Sequence, residues 1–197
     1  YTKSSTGSGI GNYESELVDN MNERPDINLE IISPVSYGFP VLGDYLTYSF
    51  GVQRRLANLN RNLDVLHLPS QFQAAGLYDL NINTKIVVTV HDIIPYVSTR
   101  YANPLLRSFS NIYVRGLQNA DQIVAISEHT KQDLLEYTEI HPNKITVIKP
   151  AINPNLFDNP SPKKTLTKYG VSEPYLLYVG QQGSKKNIEV VLSTLSK

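Results

Sequence analysis

Lys85-Ile-Val-Val-Thr-Val90, running straight into His91-Asp92, is the stretch that decides the fold. It is apolar and β-branched without polar alternation, the pattern of a strand covered on both faces, which in practice means a parallel sheet flanked by helices. Working outward from it, strand-like and helix-like segments alternate. On the carboxyl side, Asn103-Pro104 reads as an N-cap followed by proline at the first helical position. Leu106, Phe109, Tyr113 and Leu117 then continue one apolar face. Residues 122–126 form a second strand candidate, Ser127 caps a helix through Tyr137, and residues 145–148 give a short closing strand. On the amino side, residues 64–68 form a strand stopped by Pro69. Tyr45, Tyr48, Val52, Leu56 and Leu59 recur at helical spacing, and residues 27–33 make a β-type run ended by Pro34. Tyr13, Leu17 and Met21 stand at i, i+4 and i+8 behind Asn12, a residue suited to capping a helix. The reading is an α/β domain, an open doubly wound parallel sheet, with no internal repeat.

Composition removes several function classes. The 197 residues carry 18 basic and 18 acidic side chains, so the basic excess of a protein that grips nucleic acid through phosphates is missing. No run reaches the roughly 18 apolar residues of a bilayer span. With Cys 0 there are no disulfides, thiolate metal sites or cysteine nucleophiles. The four histidines are scattered without ligand-like spacing, so no metal site is expected. G-x-S-x-G and Walker lysine motifs are absent, which removes serine hydrolase and P-loop NTPase readings.

The texture changes near residues 149–163, where four prolines interrupt Lys149-Pro-Ala-Ile-Asn-Pro-Asn-Leu-Phe-Asp-Asn-Pro-Ser-Pro-Lys163. Beyond this stretch, residues 175–179 read as a strand, residues 180–186 as a polar turn and residues 187–196 as a helix. One β-loop-α unit cannot bury itself. At the front, Gly7-Ser-Gly-Ile-Gly11 precedes the first helix with only six residues ahead of it. Such a loop normally follows a strand. The expectation is therefore a fragment, organised as a first domain at 1–149, a linker at 150–163 and the beginning of a second domain at 164–197.

Ligands of open α/β sheets gather at the carboxyl ends of strands. Three features fall there. The glycine stretch opens a helix, where backbone N–H groups favour anions and glycines admit a close phosphate or sugar. Its spacing is not G-x-G-x-x-G, and Ile32-Ser33-Pro34 ends the next strand without an acid, so a dinucleotide site is poorly supported. The plain alternative is a loop whose glycines only permit a turn. His91 follows the best strand, where an imidazole facing a cleft can hydrogen-bond a sugar hydroxyl or exchange protons. The alternative there is a histidine satisfied by backbone, with Asp92 forming an Asx-turn before Pro95. His67, before Pro69, is a weaker version of the same case, and His129 and His141 read as surface residues. Third, Lys185 and Lys186 stand at the start of the last helix, where cations oppose the dipole unless an anion such as a diphosphate joins them. Two solvated lysines on a turn are the simpler account.

In order, Val88-Thr-Val-His-Asp-Ile-Ile-Pro95, Asn119-Ala-Asp-Gln-Ile-Val-Ala-Ile-Ser-Glu-His-Thr-Lys-Gln-Asp-Leu134, Asn143-Lys-Ile-Thr-Val-Ile148, Lys168-Tyr-Gly170, Pro174-Tyr-Leu-Leu-Tyr-Val-Gly180 and Lys185-Lys-Asn-Ile188 form a set. The set resembles the retaining GT-B glycosyltransferases of the glycosyltransferase 4, or group 1, family, over residues 7–197. The resemblance implies two Rossmann-like domains facing a cleft, the first binding a sugar, polysaccharide or lipid-linked acceptor. The second would hold a nucleotide-diphospho-sugar donor, with no cofactor and no metal required. It assigns Gly9 and Gly11 to the loop approaching the donor phosphates, His91 to a place near the donor sugar, and Lys186 to the diphosphate. Gln181 stands where a second basic residue is common, so Lys185 would compensate or that charge is lost. The family's paired glutamates would lie beyond Lys197.

The implied activity is retaining hexosyl transfer in glycan biosynthesis, with this chain alone inactive. Two rivals stand beside it. A sugar-nucleotide 2-epimerase shares the architecture but needs acid/base carboxylates, and no paired set is visible. A non-catalytic α/β binding or scaffold domain needs none. Neutral charge and the lack of an apolar span suggest a soluble cytoplasmic enzyme. Residues 37–50, with several tyrosines and Phe39, are the candidate for loose membrane contact.

Overall fold

The computed structural model describes residues 9–38, 42–58, 63–78, 80, 82–98, 100–152, 162–180 and 186–195. The chain divides into two compact units, Tyr1–Pro150 and Ala151–Lys197.

The first unit is built on a four-stranded, fully parallel sheet of β1 (Val65–Leu68), β2 (Lys85–Val90), β3 (Gln122–Ala125) and β4 (Ile145–Val147), in that spatial order. The register sets Leu68 beside Val88, Val90 beside Ala125, and Ala125 beside Val147. Parallel neighbours require crossovers, and helices supply them. They are a 3₁₀ helix (Gln71–Leu77) between β1 and β2, α4 (Ile94–Val97) and α5 (Pro104–Leu117) between β2 and β3, and α6 (Glu128–Tyr137) between β3 and β4. This is the expected α/β, Rossmann-like class. Both predicted caps form: Asn103 Oδ1 accepts from the Leu106 N–H at 2.8 Å, and Ser127 Oγ from the Thr130 N–H at 3.0 Å.

The core explains why β2 reads as it does. Val88, Thr89 and Val90 are fully buried, as are Ile123 and Ala125 of β3. On α5, Tyr113 and Leu117 reach 0% exposure beside Phe109, and Tyr113 stacks edge-on against Phe72. The α5 helix lies so close to the 3₁₀ helix that only Gly116 fits between them. At the amino edge of the sheet, Asp121 accepts from the Ile86 N–H at 2.8 Å and pairs with Lys85 at 2.9 Å. Asn119 Nδ2 donates to the Leu77 carbonyl at 2.7 Å. The Asn119-Ala-Asp121 motif thus ties the start of β3 to β2 and to the 3₁₀ helix, away from the carboxyl edge.

Three expectations about this unit need correction. The first helix, α1 (Gly9–Asn22), begins at Gly9, so Asn12 lies inside it and is not its cap. Gly9 and Gly11 accordingly belong to the helix's first turn. Residues 27–33 form no strand. They run past the outer edge of β1 across a cavity of about 740 Å³ lined by Ile27, Leu29 and Ile32 on one side and Val65, Leu66 and His67 on the other. A strand needs a ladder, and among the described residues the only ladder that β1 makes is the one with β2. The helix expected from residue 45 does form, as α2 (Leu42–Leu46), a π-helical turn (Thr47–Gly51) and α3 (Val52–Ala57) in unbroken helical succession, with Leu59 outside the described residues. Val35 approaches Gly51 there, its N–H donating to the Gly51 carbonyl at 3.3 Å, and a Cβ on Gly51 would meet the Val35 oxygen. Finally, the tyrosines of residues 37–50 do not form an exposed stripe. Tyr45 packs edge-on against Phe109, and Tyr48 lies tilted at 34° against Phe72, because the core offers them aromatic partners. Phe50 is exposed, and Phe39 lies outside the described residues.

The second unit contains α7 (Pro162–Lys168) and α8 (Ile188–Leu195). Gly170, at φ +65°, ends α7, and the Val171 N–H returns to the Leu166 carbonyl at 2.9 Å. Residues 175–179, expected as a strand, carry no ladder, and Leu177 and Val179 are exposed. Among the described residues they have no neighbouring strand to pair with, and β structure is defined by that pairing. No helix among the described residues is long and apolar enough to cross a membrane.

Candidate functional site

The carboxyl ends of β1 and β2 bring chemistry-bearing side chains together. His91 leaves β2 half-buried, and four contacts fix it. Its backbone N–H donates to Gln71 Oε1 at 3.1 Å, and its carbonyl accepts from Thr130 Oγ1 at 3.2 Å. Its Nε2 lies 3.0 Å from the Pro69 carbonyl, and its ring meets Tyr13 edge-on, with centroids 5.1 Å apart at 86°. Because a carbonyl oxygen can only accept, Nε2 carries the proton. Burial pushes the imidazole below its ordinary value, opposed by the Pro69 hydrogen bond and the Asp92 charge. The neutral ring therefore presents Nδ1 as a lone-pair acceptor, and Nδ1 has no hydrogen bond among the described residues. Gln71, 1% exposed, also keeps its Nε2 without a partner there.

Sequence reasoning left two accounts of His91 open, and the geometry contains parts of both. One ring nitrogen is satisfied by backbone, and the other is left over. Asp92 forms the Asx-turn, its Oδ1 accepting from the Ile94 N–H at 3.1 Å.

His67 on β1 is more deeply committed to structure. Its Nε2 lies 2.9 Å from Thr89 Oγ1, which in turn is 3.4 Å from the Tyr13 hydroxyl. Burial pushes its pKa from 6.5 down to about 4. The consequence for stability has a definite sign. The unfolded chain takes up a proton below 6.5 that the folded chain refuses until about 4, so stability is full above pH 6.5 and declines as pH falls through that window. The loss attributable to this group is up to about 3 kcal/mol. Urea midpoints measured from pH 7.5 to 4 should show the decline, and His67→Gln should flatten it. An unchanged slope in that variant would remove His67 as the cause.

Gly9 opens α1 one turn ahead of Tyr13, so the helix start and His91 share one end of the sheet. A Cβ added at Gly9 would meet nothing within 4 Å, and its φ is not positive, so packing among the described residues does not demand glycine. Gly11 is half-buried in the same turn. Lys186 is exposed and precedes α8 in the second unit, while Lys185 lies outside the described residues. His129 pairs at 3.8 Å with Asp133 on the surface of α6, and His141 caps a 3₁₀ turn (Pro142–Lys144). No cluster of metal-ligating side chains occurs among the described residues. Sequence reasoning missed Tyr13 as a member of this site, having read it only as the first residue of an apolar helix stripe. It also passed over residues 71–77 and with them Gln71.

Comparison with known proteins bears on this arrangement. The family model described as Glycosyltransferase Family 4 matches residues 13–156. Serotype-specific mannosyltransferase WbdA of Escherichia coli is 27% identical over 122 residues, 59% of this chain and 15% of that protein. Another Escherichia coli protein of the same name is 26% identical over 155 residues, 73% of this chain and 19% of its own length. The chain thus spans under a fifth of the curated relatives it matches.

Proposed function

Because the chain belongs to Glycosyltransferase Family 4, we propose that it contributes the acceptor side of an enzyme that transfers a sugar from a nucleotide-diphospho-sugar with retention at the anomeric carbon. The organisation into an acceptor-side domain, a linker and the start of a donor domain belongs to the same reading, as does a cytoplasmic setting. Mannose is the first donor sugar to test, because the relatives are mannosyltransferases by name.

The observation that carries the reading is the convergence of the α1 start and a neutral His91 at the carboxyl edge of the sheet. In the proposed reaction an acceptor hydroxyl attacks the anomeric carbon from the face the diphosphate leaves. The C–O bond to phosphate breaks, and the departing oxygen takes the hydroxyl proton. Charge building on the diphosphate is met by backbone amides of the helix start. His91 Nδ1 accepts a hydrogen bond from a sugar hydroxyl and so orients the ring that is being transferred.

The test is direct. The polypeptide carrying these residues is incubated with GDP-mannose and other nucleotide sugars and a glycan acceptor, and the anomeric configuration of product and donor is compared by NMR. Product with the donor's configuration is the expected result. An inverted product would exclude the mechanism, and release of an epimerised sugar without transfer would favour the epimerase. The 197-residue chain alone is expected to be inactive, and sugar transfer by it would show that a complete donor domain is dispensable.

A further inference from the structure

We infer that Tyr13 is a positioning residue for His91, its ring holding the imidazole so that Nε2–H stays on the Pro69 carbonyl and Nδ1 remains available to an incoming hydroxyl. The use of Nδ1 by a substrate rests on the transferase reading above. The positioning itself does not.

The geometry gives Tyr13 two anchors. Its ring lies edge-to-face with His91 at 5.1 Å and 86°, inside the range aromatic pairs prefer. At the far end its hydroxyl is 3.4 Å from Thr89 Oγ1, and Thr89 is fully buried and 2.9 Å from His67 Nε2. One set of protons satisfies the whole chain: Tyr13 O–H donates to Thr89, and the Thr89 hydroxyl donates to a neutral His67. The Tyr13 side chain therefore ties α1 to β2 and its following residue, and is linked to β1 only through Thr89 and His67. Its position along the helix matters too. Gly9 and Tyr13 are four residues apart, one turn, and lie on the same face of α1. Whatever orients Tyr13 also sets where the glycine turn stands relative to His91. Among the described residues the Pro69 carbonyl is the imidazole's hydrogen-bond partner. The ring turns about its Cβ–Cγ bond, and the Tyr13 contact at 86° adds a second restraint on that angle beside the Pro69 hydrogen bond.

A packing role alone would be met by leucine, so the decisive comparison is Tyr13→Leu against Tyr13→Phe. The readout is the pair of imidazole nitrogens of His91 in the ¹⁵N-histidine-labelled chain. The wild type and Tyr13→Phe are expected to show one tautomer, protonated at Nε2. In Tyr13→Leu the two nitrogens should move toward a common averaged frequency. Unchanged nitrogens in the leucine variant would overturn the proposal, as would the leucine pattern in the phenylalanine variant. If the leucine variant does not fold, the wild type decides: an NOE between the Tyr13 ring and the His91 ring protons is required, and its absence sinks the idea. None of these measurements involves a sugar, so their failure leaves the transferase reading intact. In transfer assays Tyr13→Leu should lower kcat about tenfold with acceptor KM unchanged, and Phe should restore it. These assays use the same polypeptide as the transfer test above. Equal rates for Leu and wild type would again reject positioning, whereas absence of transfer by that polypeptide with every donor would remove only the transferase reading.

Discussion

Gly116→Ala is expected to cost this chain at least about 3 kcal/mol, a large part of the roughly 5–15 kcal/mol that holds an ordinary domain together. A Cβ at this position would stand 1.8 Å from the Ala74 carbonyl oxygen and 2.7 Å from its carbon. Both are backbone atoms of the buried 3₁₀ helix, so no rotamer change relieves the contact. Either α5 or the 3₁₀ helix must move, and both carry core residues: Tyr113 and Leu117 on one, Ala74 and Leu77 on the other. Overpacking against side chains typically costs about 1–3 kcal/mol, and backbone gives way less readily. Thermal unfolding followed by circular dichroism should show a fall of about 6–12 °C for a chain of this size. Gly9→Ala is the control, since its Cβ meets nothing and alanine is the better helix former. A Gly116→Ala protein melting with the wild type would mean that α5 and the 3₁₀ helix can separate at little cost.

The second large effect concerns chemistry. His91→Ala should reduce transferase turnover by about a hundredfold, the lower end of what a well-placed imidazole contributes. Stability should fall far less, because the Gln71 and Thr130 bonds go to the His91 backbone and survive the substitution. Two further variants separate the ring nitrogens. Asparagine places an acceptor near the Nδ1 position, and glutamine places a donor near the Nε2 position. If Nδ1 is the working atom, His91→Asn retains more activity than His91→Gln. The reverse order would mean that the Pro69 bond is what activity needs, and full activity of His91→Ala would take the residue out of the site.

Much of the architecture was legible in the chain. Strands β1 to β4 and the Asn103 and Ser127 caps arise from short-range chemistry: β-branched apolar runs, prolines that end them, and side-chain oxygens that fold back onto free N–H groups. Residues 27–33 and 175–179 have the same local character, yet neither is a strand. Strand formation depends on a partner supplied from elsewhere, and a window of sequence cannot report whether one stands alongside. Asn12 misled for a related reason, since a good capping residue does not stop a helix from beginning three residues earlier.

The site divides along the same line. His91 could be singled out by its place after the best strand, because a buried parallel strand delivers its next residue to the ligand-bearing edge. Its protonation could not, since the Pro69 carbonyl that claims Nε2 lies 22 residues away in sequence. Tyr13 looked like one member of a helical stripe and Gln71 like part of a connection. Periodicity assigned β2, α5 and their order, as it does wherever burial is set by a residue's own neighbours in the chain. Which nitrogen of His91 is left over, and that Tyr13 holds the ring, were decided only when α1 and the Pro69 turn packed against the end of β2. Those contacts join segments whose sequences carry no record of one another.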